Sequence, residues 1–485
     1  MVRKSLWDMT ASARERKPLA GDISVNTVVI GAGMAGILTA HMLEQAGVSC
    51  VVLEAGRIGG GQTGHTTAKI TSQHGMIYDR LLQSVGSKMA GQYAGANQEA
   101  IERYRILAEK YGIDCQWQDC PACLYTTENT RALCREYEAA RRLGLPVKYK
   151  ESARLPFPVK GVLEFSGQAC FHPLKFLYKI AEDLQIYEHT KVKHVKNKHV
   201  LTDKGTVKAQ NIVFACHYPF VNVPGYYFMR MHQERSYVMA VKNAEALDGM
   251  YYGIDRDGLS FRNMGDYLLL GGGGGRTGQQ PAESPYEYLG RMADLYWPGC
   301  EEAACWSAQD CMSLDGIPYI GRFSRIRPNW YVATGFGKWG MTGSMVSAMI
   351  ISSYICGREC TYGDVFSPQR LNISASAGDF FENIGYAAAG FFRQAMWIPR
   401  DKIKPLHPGQ GAVVGYKGRK YGVYKEPSGN VYMVPARCPH LGCLLKWNNA
   451  EKSWDCPCHG SRFDYRGRRL DEPSQEDIPC RVLKR

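Results

Sequence analysis

Val25-Asn26-Thr27-Val28-Val29-Ile30-Gly31-Ala32-Gly33-Met34-Ala35-Gly36 is the stretch that decides the fold of this chain. An apolar run ends in three glycines spaced G-x-G-x-x-G, and Ile37 to Ala46 continues with helical composition. A second apolar run, Val48 to Leu53, ends on Glu54. Strand, glycine turn, helix, strand and acid, in that order, make a βαβ unit suited to a dinucleotide. Gly31 permits the tight turn, Gly33 lets the backbone approach a pyrophosphate, and Gly36 lets the helix pack on the strand. The helix start at Met34 and Ala35 offers N–H groups and a positive dipole end to the phosphates. Glu54 stands where a carboxylate accepts hydrogen bonds from ribose hydroxyls. The motif alone does not separate FAD from NAD.

The next residues narrow the choice. Glu54-Ala55-Gly56-Arg57-Ile58-Gly59-Gly60-Gly61-Gln62-Thr63-Gly64-His65-Thr66-Thr67-Ala68-Lys69 resembles the amino-acid and amine oxidase family of flavoproteins, of which glycine oxidase and sarcosine oxidase are examples. The resemblance implies that Ala55, Thr63, His65, Thr66 and Thr67 run beside the pyrophosphate and the flavin ring. Asp315-Gly316-Ile317-Pro318-Tyr319-Ile320-Gly321 is similar to the start of the family's flavin-closing signature. Tyr331 to Thr342 is similar to the rest of it, which brings Gly335, Gly337, Gly340, Met341 and Thr342 to the isoalloxazine. Thr190-Lys191-Val192 and Asn211 to Cys216 resemble the strands under the adenine, with Val192 touching it. His65 falls where some related dehydrogenases attach FAD covalently; the alternative is an ordinary contact beside the flavin. Lys69, His74 and His172 are conceivable active-site residues, each with a structural alternative, and no catalytic acid or base is assigned. A second glycine cluster, Gly271 to Gly275, leads into Arg276-Thr277-Gly278-Gln279-Gln280-Pro281 rather than a helix. It is expected to be a turn, and no NAD site is expected.

The strongest chemical signal lies near the C-terminus, in Cys438-Pro439-His440-Leu441-Gly442-Cys443 and Cys456-Pro457-Cys458-His459-Gly460-Ser461. Two cysteines and two histidines also suit zinc. The paired C-x-H and C-x-x-H halves, the extra cysteines and the following Gly-Ser instead identify the segment as similar to the Rieske 2Fe-2S family. That resemblance implies Cys438 and Cys456 on one iron, His440 and His459 on the other, and a disulfide between Cys443 and Cys458. Imidazole in place of thiolate reduces the negative charge around the cluster and raises its potential. Ser461 matches a serine that bonds a cluster sulfide, whereas Phe463 stands where the high-potential members have a tyrosine. A middling potential is expected, since hydrogen bonds to sulfur raise it. Short runs around the motif, Ala412 to Val414, Lys420 to Tyr424 and Val431 to Val434, read as strands of an all-β module.

These readings give an α/β FAD-binding Rossmann-like domain with an interleaved α+β substrate domain, plus a small all-β Rieske domain. The expected divisions are an N-terminal extension at 1–21, the flavin unit at 22–363, a linker at 364–404 and the Rieske domain at 405–485. Within the flavin unit, cofactor segments at about 22–75, 165–220 and 310–357 alternate with substrate-domain segments. Phe380 to Met396 reads as a helix that packs the Rieske module onto the flavin unit, or else laps a membrane surface.

A hydrophobic content of 45% is that of a globular protein with a large core. The net charge of +13 could attract several partners. From Pro405 onward there are fourteen Lys and Arg against eight Asp and Glu, so the excess is concentrated there. No basic stripe with interleaved aromatics supports nucleic acid. A solvated basic face or docking of an acidic redox partner remains. No apolar run at the N-terminus makes a secretory signal, and charge and glycines interrupt Tyr331 to Cys356, so no transmembrane segment is expected. Seventeen cysteines, most of them single as at Cys50, Cys170, Cys216 and Cys356, fit a reducing cytoplasm. Cys120 and Cys123 form a lone C-x-x-C, read as structural thiols against a redox or metal pair.

A flavin takes two electrons as a hydride and can release them singly, whereas a 2Fe-2S cluster carries one. The expected activity is oxidation of a C–N bond of a small amine or amino acid at the flavin. Electrons would leave through the cluster to an external carrier such as an acidic ferredoxin or flavodoxin. The alternatives are a reductase fed through the cluster by a protein donor, and a non-enzymatic redox sensor or carrier.

Overall fold

A computed structural model of the chain describes residues 3–279, 283–370 and 406–483. The expected βαβ unit forms from β1 (Ile23–Ile30), α1 (Met34–Gln45) and β2 (Cys50–Leu53), and β3 (Thr206–Phe214) lies on the other side of β1. All three strands are parallel, with Val28, Val29 and Val52 fully buried. Parallel strands covered on both faces are expected to be near-continuously apolar, as these are. Ile186–Tyr187 extends the sheet beyond β2, and Val192–Lys196 and His199–Thr202 extend it beyond the start of β3.

The substrate-side sheet has eight strands. Its long members are β4 (Met231–Lys242), β5 (Tyr267–Arg276) and β6 (Glu301–Ser313), with β4 at the centre of the three and antiparallel to both neighbours. The chain then returns to the nucleotide sheet through β7 (Arg327–Thr334), parallel to the end of β3, and through α2 (Gly340–Ile355), which packs on α1. Cofactor and substrate segments therefore alternate along the chain. The C-terminal module consists of two four-stranded antiparallel sheets, and Trp447, Trp454, Phe463 and Val434 fill the space between them.

Two expectations change. The five glycines at 271–275 are not a turn: they lie within β5, hydrogen-bonded to β4 and, at Gly271, to Ser260–Met264. At Gly272 and Gly273 small residues are needed because Leu259 and the helix Pro285–Tyr296 cover the strand; a Cβ on Gly272 would come within 2.5 Å of Leu259. The described part of the N-terminal extension, residues 3–21, packs into the flavin unit. Trp7 is fully buried on the short helix Leu6–Thr10, and Leu19 is buried as well. At the other end of the flavin unit, Asp364 to Arg370 belong to its packing rather than to a linker: Phe366 is buried, and Arg370 pairs with buried Asp315 at 2.7 Å. The helix expected at Phe380 to Met396 lies outside the described residues.

Candidate flavin site and cluster centre

The first site gathers at the C-terminal ends of β1, β2 and β3. Gly31 has φ +107°, and a Cβ there would stand 2.5 Å from the Ala215 carbonyl at the end of β3. A Cβ on Gly36 would stand 1.9 Å from the Gly31 carbonyl, so only glycine lets α1 start this close to the strand. Gly33 caps α1 without a side-chain hydrogen bond, and Met34, Ala35 and Gly36 form its first turn. Thr63 Oγ1 accepts from Met34 N at 3.0 Å, which joins the segment after β2 to that turn. Glu54 accepts from Ala32 N at 2.8 Å and Gly56 N at 2.7 Å; burial nevertheless pushes its carboxyl up. Ala55 follows in an exposed bend. Thr190 N donates to the Glu54 carbonyl, placing the neighbouring Val192 beside the same rim.

The stretch from Thr63 to Thr67 is held from two directions that sequence reading missed. Trp7 Nε1 donates to Thr66 O at 2.6 Å and Trp306 Nε1 to His65 O at 2.8 Å. The two indoles meet edge to face at 6.3 Å. His65 Nδ1 bonds the Gly61 carbonyl at 2.8 Å. A lone Trp near a polar N-terminus carries no periodic signal, which is why Trp7 was missed.

The glycine-rich closing loop lies between β7 and α2, with Gly335 and Gly337 at positive φ and Gly340, Met341 and Thr342 opening the helix. His74 braces it. Its ring stacks on Trp339 at 5.0 Å, and Nε2 bonds Thr71 O at 2.7 Å and Thr342 Oγ1 at 3.0 Å. Tyr93 OH donates to Nδ1 at 2.6 Å, and burial lowers the His74 pKa to about 3, so the ring is neutral. Gly316 sits apart in a turn beside the Arg80 guanidinium. Lys338, within the loop, pairs with Glu234 on β4 at 3.2 Å, and His232 lies 3.5 Å from the same carboxylate. The His232 hydrogen bond, against burial and with help from Lys338, holds Glu234 at about 2. His217 Nε2, His232 Nδ1 and Gln73 Nε2 are buried without a partner among the described residues. Such groups are costly unless something bound satisfies them. Uncapped helix amides, a buried acid at the end of β2 and these orphaned donors and acceptors fit a flavin dinucleotide.

Lys69 and His172 have structural duties. Lys69 Nζ donates to Tyr251 O and Ser260 Oγ, while burial, with nearby Arg262, brings its pKa down to about 7. His172 caps the helix Pro173–Ile180, bonds Thr10 and packs on Trp7. Cys120 and Cys123 do not pair with each other: the nearest sulfur to Cys120 is that of Cys170, at 3.8 Å across two short strands.

In the C-terminal module two loops converge. Cys443 and Cys458 form a disulfide between them. Backbone amides of His440 and Leu441 point at Cys438 Sγ, and those of Cys458 and His459 at Cys456 Sγ. The two free thiols bond each other, which lowers the pKa of Cys438, and Ser461 also reaches Cys438. The rings of His440 and His459 stand 5.0 Å apart. Burial lowers both, to about 4 and about 3, leaving neutral imidazoles as a metal requires. His440 Nε2 lies 3.3 Å from Asn222 Oδ1, which frees Nδ1 as the ligand atom. Among the described residues Cys443, Cys456 and Cys458 also bring their sulfurs within 4.8 Å of one another, but the disulfide removes two of those three. Cys438, His440, Cys456 and His459 are the donors that fit a cluster.

The imidazole edge of this centre faces the flavin unit. Phe228 stands edge-on to His440 and His459 at 6.1 and 5.9 Å. Gln233 of β4 donates to the His459 carbonyl at 2.9 Å, and Gln309 of β6 to that of Gly460 at 2.6 Å. Glu451 completes the contact with a buried pair to Arg235 of β4 at 2.7 Å and another to Arg462 at 2.8 Å. Among the described residues no helix is long and apolar enough to cross a membrane.

Comparison with known proteins agrees with both domains. The model of the family "FAD dependent oxidoreductase" matches residues 26–354, and that of the "Rieske [2Fe-2S] domain" matches residues 396–481. The chain is 34% identical over 489 residues, 97% of its own length and 96% of the relative's, to YhfW of Bacillus subtilis (strain 168), whose name describes a Rieske 2Fe-2S iron-sulfur protein. Among solved structures, glycine oxidase from Geobacillus kaustophilus superposes with a TM-score of 0.62 at 19% identity, over 72% of this chain and 99% of that one. L-proline dehydrogenase from P. horikoshii does so with a TM-score of 0.61 at 18% identity, over 73% and 98%. The βαβ groove and the four cluster donors thus find their places together: the chain belongs to the FAD-dependent oxidoreductase family and carries a C-terminal Rieske 2Fe-2S domain.

Proposed function

We propose that the protein oxidises a C–N bond of a small amine or amino acid at FAD and passes the electrons one at a time through the Rieske cluster to an external carrier. FAD supplies the two-electron acceptor: loss of a hydride and a proton turns the amine into an imine, which water hydrolyses. Gly31, Gly33, Met34, Ala35, Gly36, Glu54, Ala55, Thr63, His65, Thr66, Thr67, Val192, Gly335, Gly337, Gly340, Met341 and Thr342 hold the cofactor, without Gly316, which sits apart beside Arg80, and Cys438, His440, Cys456 and His459 hold the cluster. The flavin unit spans 22–370 and the Rieske domain begins near 405.

The observation that carries the electron route is the inward-facing imidazole edge, docked on Phe228, Asn222, Gln233 and Gln309. A cluster loop fixed to β4 and to the edge strand β6 of the substrate-side sheet has a short, rigid connection to the flavin unit. The outward exit lies at the other side of His440, where Arg437, Pro439, His440 and Leu441 line a cavity of about 400 Å³. Arg437 is exposed there, and the module's basic excess suits an acidic ferredoxin or flavodoxin. The amino-acid names of the two structural neighbours favour an amine substrate. The scattered single thiols favour the cytoplasm.

The test is anaerobic mixing of the reconstituted holoprotein with a panel of amines and amino acids, followed by visible and electron paramagnetic resonance spectra. Bleaching of the flavin, then growth of a Rieske-type signal, is the expected result. Flavin that bleaches while the cluster stays oxidised would remove the proposed exit. Reduction only by a protein donor would reverse the direction of flow.

A further inference from the structure

The segment Asp471–Gln475, in the C-terminal module, touches both rims of the groove assigned above to FAD. At its start, Asp471 Oδ1 accepts from Gln62 Nε2 at 3.3 Å. Gln62 precedes Thr63, the partner of Met34 in the first turn of α1, and its own Oε1 accepts from Gln309 N at 2.7 Å. At its end, the Gln475 carbonyl accepts from Lys191 Nζ at 2.5 Å. Lys191 lies between Thr190, bonded to the Glu54 backbone, and Val192. Between those anchors the Glu472 carbonyl accepts from Gln233 at 2.8 Å, and its carboxylate is fixed by Arg469 at 2.6 Å. That carboxylate lies close enough to Glu54 and Cys216 to raise both of their pKa values. Ser474 N donates to Ser461 Oγ at 3.0 Å, so the same five residues also hold the second cluster loop.

We propose that Asp471–Gln475 is a wall of the FAD site supplied by the Rieske module, which closes the groove over the ADP end of the cofactor and makes FAD retention depend on the docked module. The inference rests on the FAD placement proposed above. A groove roofed by a segment from another domain releases its ligand only when that segment lifts, so the anchors control the release rate more than the encounter rate. Gln233 serves both sites, through the His459 carbonyl on one side and the Glu472 carbonyl on the other. One glutamine therefore ties the cluster loop to the flavin wall.

The test is the rate of FAD release from the full-length, cluster-loaded protein, read as the rise of free-flavin fluorescence after dilution. Lys191→Met keeps the apolar stem but removes one anchor, and Gln233→Leu removes another. Each is expected to speed release about tenfold, the factor that corresponds to losing one charge-assisted or buried hydrogen bond. Circular dichroism should be unchanged in both variants, and the cluster signal unchanged in Lys191→Met, which does not touch the cluster loops. Glu54→Gln serves as the reference for the groove itself. Release as slow as wild type in both anchor variants, with Glu54→Gln accelerated, overturns the wall and leaves the FAD site intact. If Glu54→Gln also leaves release unchanged, the FAD placement fails and the wall with it.

Discussion

Glu54 holds two backbone amides with its two oxygens, and in the proposed placement its carboxylate would also accept from the ribose. Glu54→Gln should weaken FAD binding by about tenfold, since one oxygen acceptor becomes a donor that faces an amide; fluorescence titration of apoprotein measures it. His65 engages the Gly61 carbonyl through Nδ1 and keeps Nε2 free among the described residues; acid precipitation of the holoprotein decides its role, with all FAD in the supernatant for a contact and FAD in the pellet for a covalent bond. His74 and His172 are held neutral in the fold, at about 3 and about 4, whereas both protonate below about 6.5 once unfolded. The unfolded chain therefore binds more protons in this window, and stability falls as pH drops from 6.5 toward 4. Denaturant midpoints at a series of pH values should show that slope, and His74→Gln should flatten it.

The elements explain why these residues meet. The second cluster loop is closed by the Cys456 amide on the Ser461 carbonyl, and the Ser461 hydroxyl accepts from Ser474 N. Its proton is then free to be donated toward the cluster. Ser461→Ala should lower the midpoint potential by on the order of tens of millivolts, read by redox titration of the paramagnetic signal. Phe463 is fully buried, so the missing hydroxyl at that position is a fixed feature of the domain's core. In the flavin unit, the closing loop depends on stacked His74 and Trp339 as much as on its glycines. Sequence pattern identifies the glycines because their spacing is regular. It singles out His74 only as a conceivable active-site residue and does not give its bracing role, because the partners come from positions 71, 93, 339 and 342.

At the scale of the whole molecule, the domain contact is built on buried charge. Burial disfavours the Glu451 carboxylate, but Arg235 and Arg462 prevail and hold it at about 2. Glu451→Ala removes the carboxylate partner of buried Arg235, while Arg462 keeps Asp455 and Asp471, a loss of roughly 3–5 kcal/mol. A lower melting temperature and slower transfer of electrons from flavin to cluster in stopped-flow should follow. Val25 to Glu54 sufficed to identify the nucleotide unit, because the βαβ turn is local and its glycines answer to backbone sterics within a few residues. The two cluster loops were legible for the same reason: ligand spacing is a local property, and the family resemblance also supplied the Cys443–Cys458 pairing that the fold contains. Gly271 to Gly275 misled, since glycine reads as a turn unless one knows that a helix and Leu259 lie over the strand. The sequence by itself determined the two cofactor classes and the order of the domains. Only the tertiary structure decided that Trp7 supports Thr66, that the imidazole edge turns inward and that Asp471 to Gln475 lies across the flavin groove. Those contacts join residues tens to hundreds of positions apart, and packing between domains leaves no periodicity in either segment.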